Sequence, residues 1–412
     1  MKLIRMLPLA FLNIMALSGI AHAMEFGQMD VHGFVSQGYL LTSHNDYLAK
    51  TEGGTTEFND AAVNVSSSLS DRLRIGIQFL ARDLGDAGND EVELDWGFAD
   101  YHWRDELGLR IGKVKRPMGL YNEGRDVDLL RTYILLPQSI YREDMRDIMN
   151  AAKGGAVYGT IPSGLIGSFD YQYVYGSKDI DLEPTALQSQ YSSVFPTVDI
   201  SDIKTNVNYT STAYMTWNTP LKGLKLGVTY ETAQIEVSSP AVAAIPTNTP
   251  GVNIPAKQAQ HVTIDLKGVW VASVEYRWQD FTLAGELMNT SQEFTLDPGQ
   301  GAHVRNEFHS RGYYGSMCYR FSPWLEAGSY YSVYYPDRSD KDGDKQAMYG
   351  NPDYKAWQKD ACLTLRFDIT PNWLCKLEGH HIDGVAQVFD YEDPGELAKV
   401  WSLYAAKITF SF

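Results

Sequence analysis

The chain has 412 residues, a formal net charge of −16 at pH 7, 44% hydrophobic residues and 21% charged residues. The hydrophobic fraction is that of a folded protein rather than a disordered chain, and the acidic charge disfavours binding to nucleic acid phosphates. After the N-terminus no apolar run reaches the length of about 18 residues that a membrane-spanning helix needs, which excludes a helical membrane protein.

The first 23 residues have the features of a secretory signal peptide. Lys2 and Arg5 supply the positive start, residues 6–20 are apolar, and Ala21-His22-Ala23 fits the rule of small residues around a cleavage site. We therefore expect residues 24–412 to form the mature, exported chain as one domain.

Apolar and polar residues alternate along most of the mature chain. Residues 73–79, 224–230 and 363–369 each place an apolar side chain at every second position. Because successive side chains of a strand point to opposite faces, this period of two predicts β-strands. A short helix is expected only within residues 127–149.

The connections between these segments alternate in length. The short ones are rich in Pro, Gly, Asp, Asn and Ser and comprise residues 69–72, 104–106, 162–164, 219–223, 279–280, 322–324 and 370–373. The long ones comprise residues 43–57, 83–91, 116–152, 177–204, 238–260, 297–306, 336–355 and 391–396. This rhythm predicts an up-and-down antiparallel barrel of about 16 strands whose two ends lie on the side of the short turns.

Charged residues on the inferred inward face favour a water-filled interior. A dry core would not hold so many unpaired charges. They are Arg72, Arg74, Arg110, Asp265, Lys267, Glu286, Arg320, Glu326, Asp360, Arg366 and Asp368. Tryptophans cluster near the strand ends, as interfacial girdles do, although the ordinary preference of aromatic residues for strands also accounts for them.

The C-terminal segment alternates to the final residue, with Tyr404, Ala406, Ile408, Phe410 and Phe412 on one face. With the export signal and the alternation throughout, the sequence resembles the outer-membrane β-barrels of Gram-negative bacteria, at the level of the 16-stranded porins. The resemblance implies an all-β transmembrane barrel in the outer membrane, in contact with lipid and lipopolysaccharide. It also implies a homotrimer, and an assembly signal at Tyr404, Ile408, Phe410 and Phe412 for the barrel-assembly machinery.

In that family the third external loop folds into the lumen and narrows it. Here the third long connection, residues 116–152, is the longest, and it carries Arg116-Pro117-Met118-Gly119-Leu120-Tyr121 in place of the family's Pro-Glu-Phe-Gly-Gly motif. Apolar residues at 129–130, 133–136 and 140 predict an ordered loop packed against the wall.

The resemblance implies a pore constriction between wall arginines and loop carboxylates. The wall candidates are Arg72, Arg74 and Arg110, and the loop acids are Glu123, Asp126 and Asp128. The loop arginines Arg125 and Arg131 equally suggest a path for anions. In the alternative interpretation, the wall arginines pair within the wall and only stiffen it.

We expect a passive diffusion channel for small hydrophilic solutes or ions, with no catalytic residue, cofactor or metal. Three free thiols without metal-binding spacing, Cys318, Cys362 and Cys375, read as isolated side chains. The alternatives are a substrate-specific gated channel, an adhesive or structural surface barrel, and a barrel enzyme. The enzyme would need a serine, Ser329 or Ser332, beside His380 or His381.

Overall fold

The computed structural model describes residues 29–85, 88, 90–180, 204–239, 245–246, 253–254, 260–297, 304–388 and 397–412. Within these residues, sixteen antiparallel strands form one closed barrel. The strands are β1 (Met29–Thr42), β2 (Phe58–Ser68), β3 (Leu73–Leu84), β4 (Val92–Arg104), β5 (Leu107–Lys115), β6 (Ala151–Pro162), β7 (Ser168–Ile180), β8 (Lys204–Asn218), β9 (Leu224–Ser239), β10 (Gln260–Trp278), β11 (Phe281–Asp297), β12 (Val304–Ser322), β13 (Leu325–Tyr335), β14 (Gln358–Asp368), β15 (Trp373–Gly384) and β16 (Val400–Ser411).

Every strand pairs with its neighbours in chain order, and β16 closes the barrel against β1. The closing register runs from Phe34 opposite Ser411 to Thr42 opposite Leu403. At the C-terminus, Phe412 and Gly33 exchange two backbone hydrogen bonds of 3.0 and 3.1 Å. The predicted fold class, strand number and placement of both ends on the short-turn side are confirmed.

Aromatic side chains mark both edges of the outward apolar band. Tyr230 and Trp270 pack at 4.2 Å on the long-loop side, while Trp278 and Phe281 stack at 6.2 Å on the short-turn side. Trp270 and Trp278 are eight positions apart on β10. This is about 26 Å along the strand and about 20 Å along the barrel axis at a tilt of about 40°, which is comparable to the apolar band of about 25 Å that such barrels present to lipid. The outward aromatic residues therefore have the positions of interfacial girdles.

The strands from β8 to β12 extend well past this band on the long-loop side. β10 and β12 have 19 residues each, whereas a membrane-crossing strand needs about 9–11. In this extension Ile264 points inward and is buried, while Asp265 and Lys267 point outward, Lys267 lying 3.4 Å from Glu293. The prediction that Asp265 and Lys267 face the lumen is wrong, because apolar side chains face outward only within the membrane band.

Helical structure is confined to short turns. The α-helix Arg146–Met149 falls in the predicted range, but a second, Asp344–Met348, was missed. No helix among the residues described has the length and apolarity to cross a membrane. The predicted signal peptide, residues 1–23, lies outside the described residues, so its prediction stands untested.

Candidate functional site

The connection between β5 and β6, residues 116–150, crosses the barrel interior. On one side its Ile134 and Leu135 pack into an apolar cluster with Leu40 of β1 and Trp401 of β16. On the other side Leu136, Ile140 and Tyr141 pack against β10–β12 through Val271, Met288 and Tyr314. The loop starts between β5 and β6 and packs against the opposite arc of the wall, from β10 round to β1, which holds it across the lumen.

Two buried glutamates of the wall anchor this loop through its backbone. Glu378 of β15 accepts hydrogen bonds from the backbone N–H groups of Ile134 and Leu135 at 2.8 and 2.9 Å. Glu286 of β11 accepts one from the Leu120 N–H at 2.9 Å and another from the Tyr141 hydroxyl. Hydrogen bonds to a buried carboxylate are stronger than those between neutral groups. These four contacts therefore fix the position of the loop along the barrel axis.

Asp126 is enclosed by basic side chains from the two ends of the loop, next to β5 and β6. Its carboxylate accepts hydrogen bonds from Arg146 at 2.7 Å and from Lys115 at 2.9 Å. Arg146 also donates to Asp95 of β4 at 2.8 Å. Burial alone would raise the pKa of Asp126, but Arg146 and Lys115 outweigh it and hold this pKa well below the ordinary value.

Asp128 is surrounded by three cations from different elements. Lys407 of β16 lies 2.9 Å from its carboxylate, and Lys376 of β15 and Arg131 of the loop each lie 3.3 Å away. Thr409 adds a hydroxyl donor at 2.8 Å. Burial raises the pKa of Asp128, yet Lys407 and Lys376 hold it well below its ordinary value. This carboxylate is therefore ionised at neutral pH, and Lys407 has a second carboxylate partner in Asp60 at 2.8 Å.

Arg125 and Arg131 each have one N–H donor without a hydrogen-bond partner in the described part of the chain. Arg125 pairs with Glu143 at 2.9 Å, and Arg131 donates to the Ile134 carbonyl at 2.6 Å. The Nε of each arginine is nonetheless buried without a hydrogen-bond partner in the structure. A buried N–H of this kind is normally satisfied by water or by an anion.

These two arginines line cavities on both sides of the loop. Towards the long loops, a cavity of about 40 Å³ lies between the loop and the β2–β3 wall, and it has room for only a few water molecules. We call it the narrow segment; its charged lining is Asp60, Arg82, Asp83, Arg125, Asp126, Arg131, Glu143 and Lys407. The sequence-based prediction missed five of these residues, although Arg82 and Lys407 occupy inward positions of alternating strands. The five are Asp60, Arg82, Asp83, Glu143 and Lys407.

Two wider cavities, of about 510 and 270 Å³, lie on the short-turn side. Arg131 and Leu130 line both cavities. Leu130 is 70% exposed, so the prediction that it anchors the loop against the wall is wrong. Their charged lining comprises six basic and four acidic side chains: Arg125, Arg131, Lys225, Arg277, Arg320, Arg366, Glu123, Asp170, Glu275 and Glu326. On the long-loop side a further recess of about 150 Å³ is largely apolar.

The predicted wall arginines lie apart from the narrow segment. Arg72 is exposed in the turn before β3, Arg74 donates to Ser66 at 3.0 Å, and Arg110 pairs with Asp100 at 3.0 Å. The predicted loop acid Glu123 is exposed and accepts a hydrogen bond from Gln172. Of the eight candidates, the structure brings Arg125, Asp126 and Arg131 to the narrow segment, with Asp128 directly behind it.

The residues considered for an enzyme do not assemble as a serine and histidine pair. His380 makes 3.0 Å contacts with Asp360 and Glu378 through its two ring nitrogens, and His381 is exposed on the other face. Ser332 donates to Ser139 at 2.8 Å. Across the described part of the chain, no hydrogen bond joins His380 to a serine hydroxyl.

Solved structures share this architecture. Over 95% of this chain and 100% of the other, OmpF of Salmonella typhi in complex with daunomycin aligns with a TM-score of 0.56 at 10% identity. The outer-membrane channel DcaP of Acinetobacter baumannii aligns over 95% of this chain and 99% of its own (TM-score 0.53, 9% identity). The anion-selective porin from Comamonas acidovorans aligns over 93% and 99% (TM-score 0.52, 11% identity).

At these identities the likeness establishes the fold, which is the porin-type barrel of 16 strands. No protein-family model matches the sequence, and no curated protein matches it. A porin subfamily is therefore not identified.

Proposed function

We propose that this protein is a channel of the Gram-negative outer membrane that conducts small hydrophilic solutes and ions by passive diffusion. The observation that supports it best is the position of Arg125 and Arg131, which line both the narrow segment and the wide cavity on the other side of the loop. A solute crossing the barrel there passes two arginines whose Nε donors have no protein partner.

The local charge favours anions over cations. Six basic side chains face four acidic ones in the two wide cavities. At the loop, Asp128 lies against Lys376, Lys407 and Arg131, and Lys407 also pairs with Asp60 at 2.8 Å. The charged lining of the narrow segment itself is balanced, with four basic and four acidic side chains. Because the field in a narrow pore depends on these groups and not on the net charge of the whole chain, an acidic protein is compatible with a moderate preference for anions.

A second candidate function is that of a gated channel that opens for a preferred substrate. Two observations favour it: the narrow segment has only about 40 Å³, and the recess of about 150 Å³ on the long-loop side is lined by apolar residues such as Ile235, Ile264 and Phe294. General diffusion needs a permanently open polar path, whereas an apolar recess beside a tight segment suits a solute with an apolar part.

Conductance of the refolded protein in a planar bilayer tests the proposal. Under a salt gradient we expect discrete current steps and a reversal potential on the anion side. A folded barrel that gives no steps contradicts passive diffusion. In that case, steps that appear only after a solute is added would support the gated channel, and the absence of steps under all conditions would contradict transport.

We further propose a homotrimer embedded in outer-membrane lipid and lipopolysaccharide, inserted through the assembly signal in β16. The outward face of β1 and β2 exposes Val31, Val35 and Val63, an apolar sector that suits either lipid or a neighbouring subunit. Chemical cross-linking in native membranes should give a trimer band; a monomer at every cross-linker concentration would contradict the trimer.

A further inference from the structure

A buried thiol, an imidazole and a carboxylate converge on the inner face of β14 and β15. Cys362 stands directly opposite His380 in the ladder, and Glu378 precedes His380 by two positions, so all three side chains share one face. One ligand atom from each lies within 4.8 Å of the others, and each residue is at most 5% exposed.

We propose that Cys362, Glu378 and His380 form a binding site for a divalent transition metal ion of the Zn²⁺ class. The thiolate, the imidazole Nε2 and the carboxylate are the donors that Zn²⁺ prefers, and three protein ligands leave one position for water. Alternate positions on adjacent strands supply the ligands, an arrangement that needs no short sequence motif.

Hydrogen-bonding groups around the three residues already orient the ligand side chains, as the groups behind metal ligands usually do. A metal-bound histidine usually donates its other ring N–H to a carboxylate, and the His380 Nδ1 lies 3.0 Å from the Asp360 carboxylate. The Glu378 carboxylate is oriented by the N–H groups of Ile134 and Leu135. These contacts hold the imidazole and the carboxylate near their ligand positions.

The buried charge is the same with and without the metal. With both ring nitrogens of His380 protonated and no metal bound, the imidazolium between the carboxylates of Asp360 and Glu378 gives a net charge of about −1. Binding of Zn²⁺ releases the thiol proton of Cys362 and the Nε2 proton of His380, and the sum remains about −1. The ion therefore exchanges for two protons at no cost in net buried charge.

The neighbouring Cys318 does not offer Cys362 a disulfide. Both thiols belong to one buried cluster with Tyr133 and Tyr330. However, β13 separates their strands and the register offsets them by two positions, so their Cα atoms are about 11–12 Å apart, whereas a disulfide needs less than about 7 Å. Cys362 thus stays a free thiol, available as a metal ligand.

Cobalt substitution tests the site directly. The mature chain is refolded in detergent with Co²⁺, or given Co²⁺ after refolding, and a thiolate-to-cobalt charge-transfer band is followed in the near ultraviolet. We expect about one cobalt per chain and loss of the band on addition of Zn²⁺. A band that forms only when Co²⁺ is present during refolding also supports the site, because the loop covers it.

Matched variants locate the ligand. Cys362→Ser should abolish the band, whereas Cys318→Ser and Cys375→Ser should keep it. Asp360→Asn leaves the ligands in place and should weaken affinity about 10- to 100-fold, and Asp383→Asn, on the outward face of β15, should not. A folded protein without the band under either protocol, or a band that survives Cys362→Ser, would overturn the proposal.

Discussion

Replacing Arg131 with glutamine should shift ion selectivity towards cations. Arg131 lines the narrow segment and both wide cavities, and its Nε has no protein partner. Glutamine keeps a polar side chain able to donate a hydrogen bond to the Ile134 carbonyl. Asp128 retains Lys376 and Lys407 after the change, so the loop keeps its anchor.

The size of the shift follows from the loss of one charge beside the path. A permeating ion about 4 Å from the guanidinium feels about 1 kcal/mol even at the dielectric constant of water. That energy corresponds to about a five-fold decrease in the permeability of anions and a similar increase in the permeability of cations. Added salt screens the interaction, so the effect should fall at high ionic strength.

The assay is the reversal potential of single channels under a potassium chloride gradient. Arg142→Gln is the matched control, because Arg142 belongs to the same loop but bonds Asp144 and lines the apolar recess instead. The reasoning is refuted if Arg131→Gln leaves the reversal potential unchanged, or if Arg142→Gln moves it equally.

Three other changes test the loop and the closure of the barrel. Gly119→Ala should destabilise the loop by about 1–2 kcal/mol, because the φ of Gly119 is +60° and an added Cβ would lie 2.4 Å from the Tyr141 hydroxyl. We expect noisier channel currents. Gly53→Ala is the control, because an added Cβ there has open space around it. Because folding lowers the pKa of Asp128, the stabilisation that its charge provides is complete above the unfolded pKa of about 3.9 and is lost as the pH falls through the lower folded value. Loss of the Asp128 charge should therefore make thermal unfolding easier only in stronger acid. Removing Phe412 should lower the yield of folded barrel far more than Phe321→Ala, since Phe412, unlike Phe321, adds backbone hydrogen bonds across the closing seam; equal yields would contradict this.

The barrel was predictable because its signals are local. Alternation and turn chemistry define each strand without reference to its partner, and a meander pairs strands in chain order. The rule failed at Asp265 and Lys267, where β10 continues beyond the lipid band and a register shift follows Leu266. Neither the edge of the membrane nor a bulge is visible in a single strand's pattern.

The site was predictable only in part, because partners across the lumen are far apart in sequence. The loop's length and charge indicated Arg125, Asp126, Asp128 and Arg131. Their partners depend on how the loop lies, as with Lys407, which is 279 positions after Asp128 and 2.9 Å from it. The convergence of Cys362, Glu378 and His380 was missed for the same reason, because the pairing of Cys362 with His380 appears only in the ladder of β14 and β15.

Because β8–β12 extend beyond the membrane band, the barrel is longer on this side than on the other at its long-loop end. Above the Tyr230 and Trp270 girdle its outer face is hydrophilic sheet, cross-linked by contacts such as Gln234 with Asp265 at 2.8 Å and Arg311 with Asn289 at 2.8 Å. An antibody or a bacteriophage approaching the cell would meet a rigid, pleated surface on this side. We expect such ligands to recognise a conformational epitope here, one that is destroyed by unfolding and insensitive to protease trimming of the connecting loops.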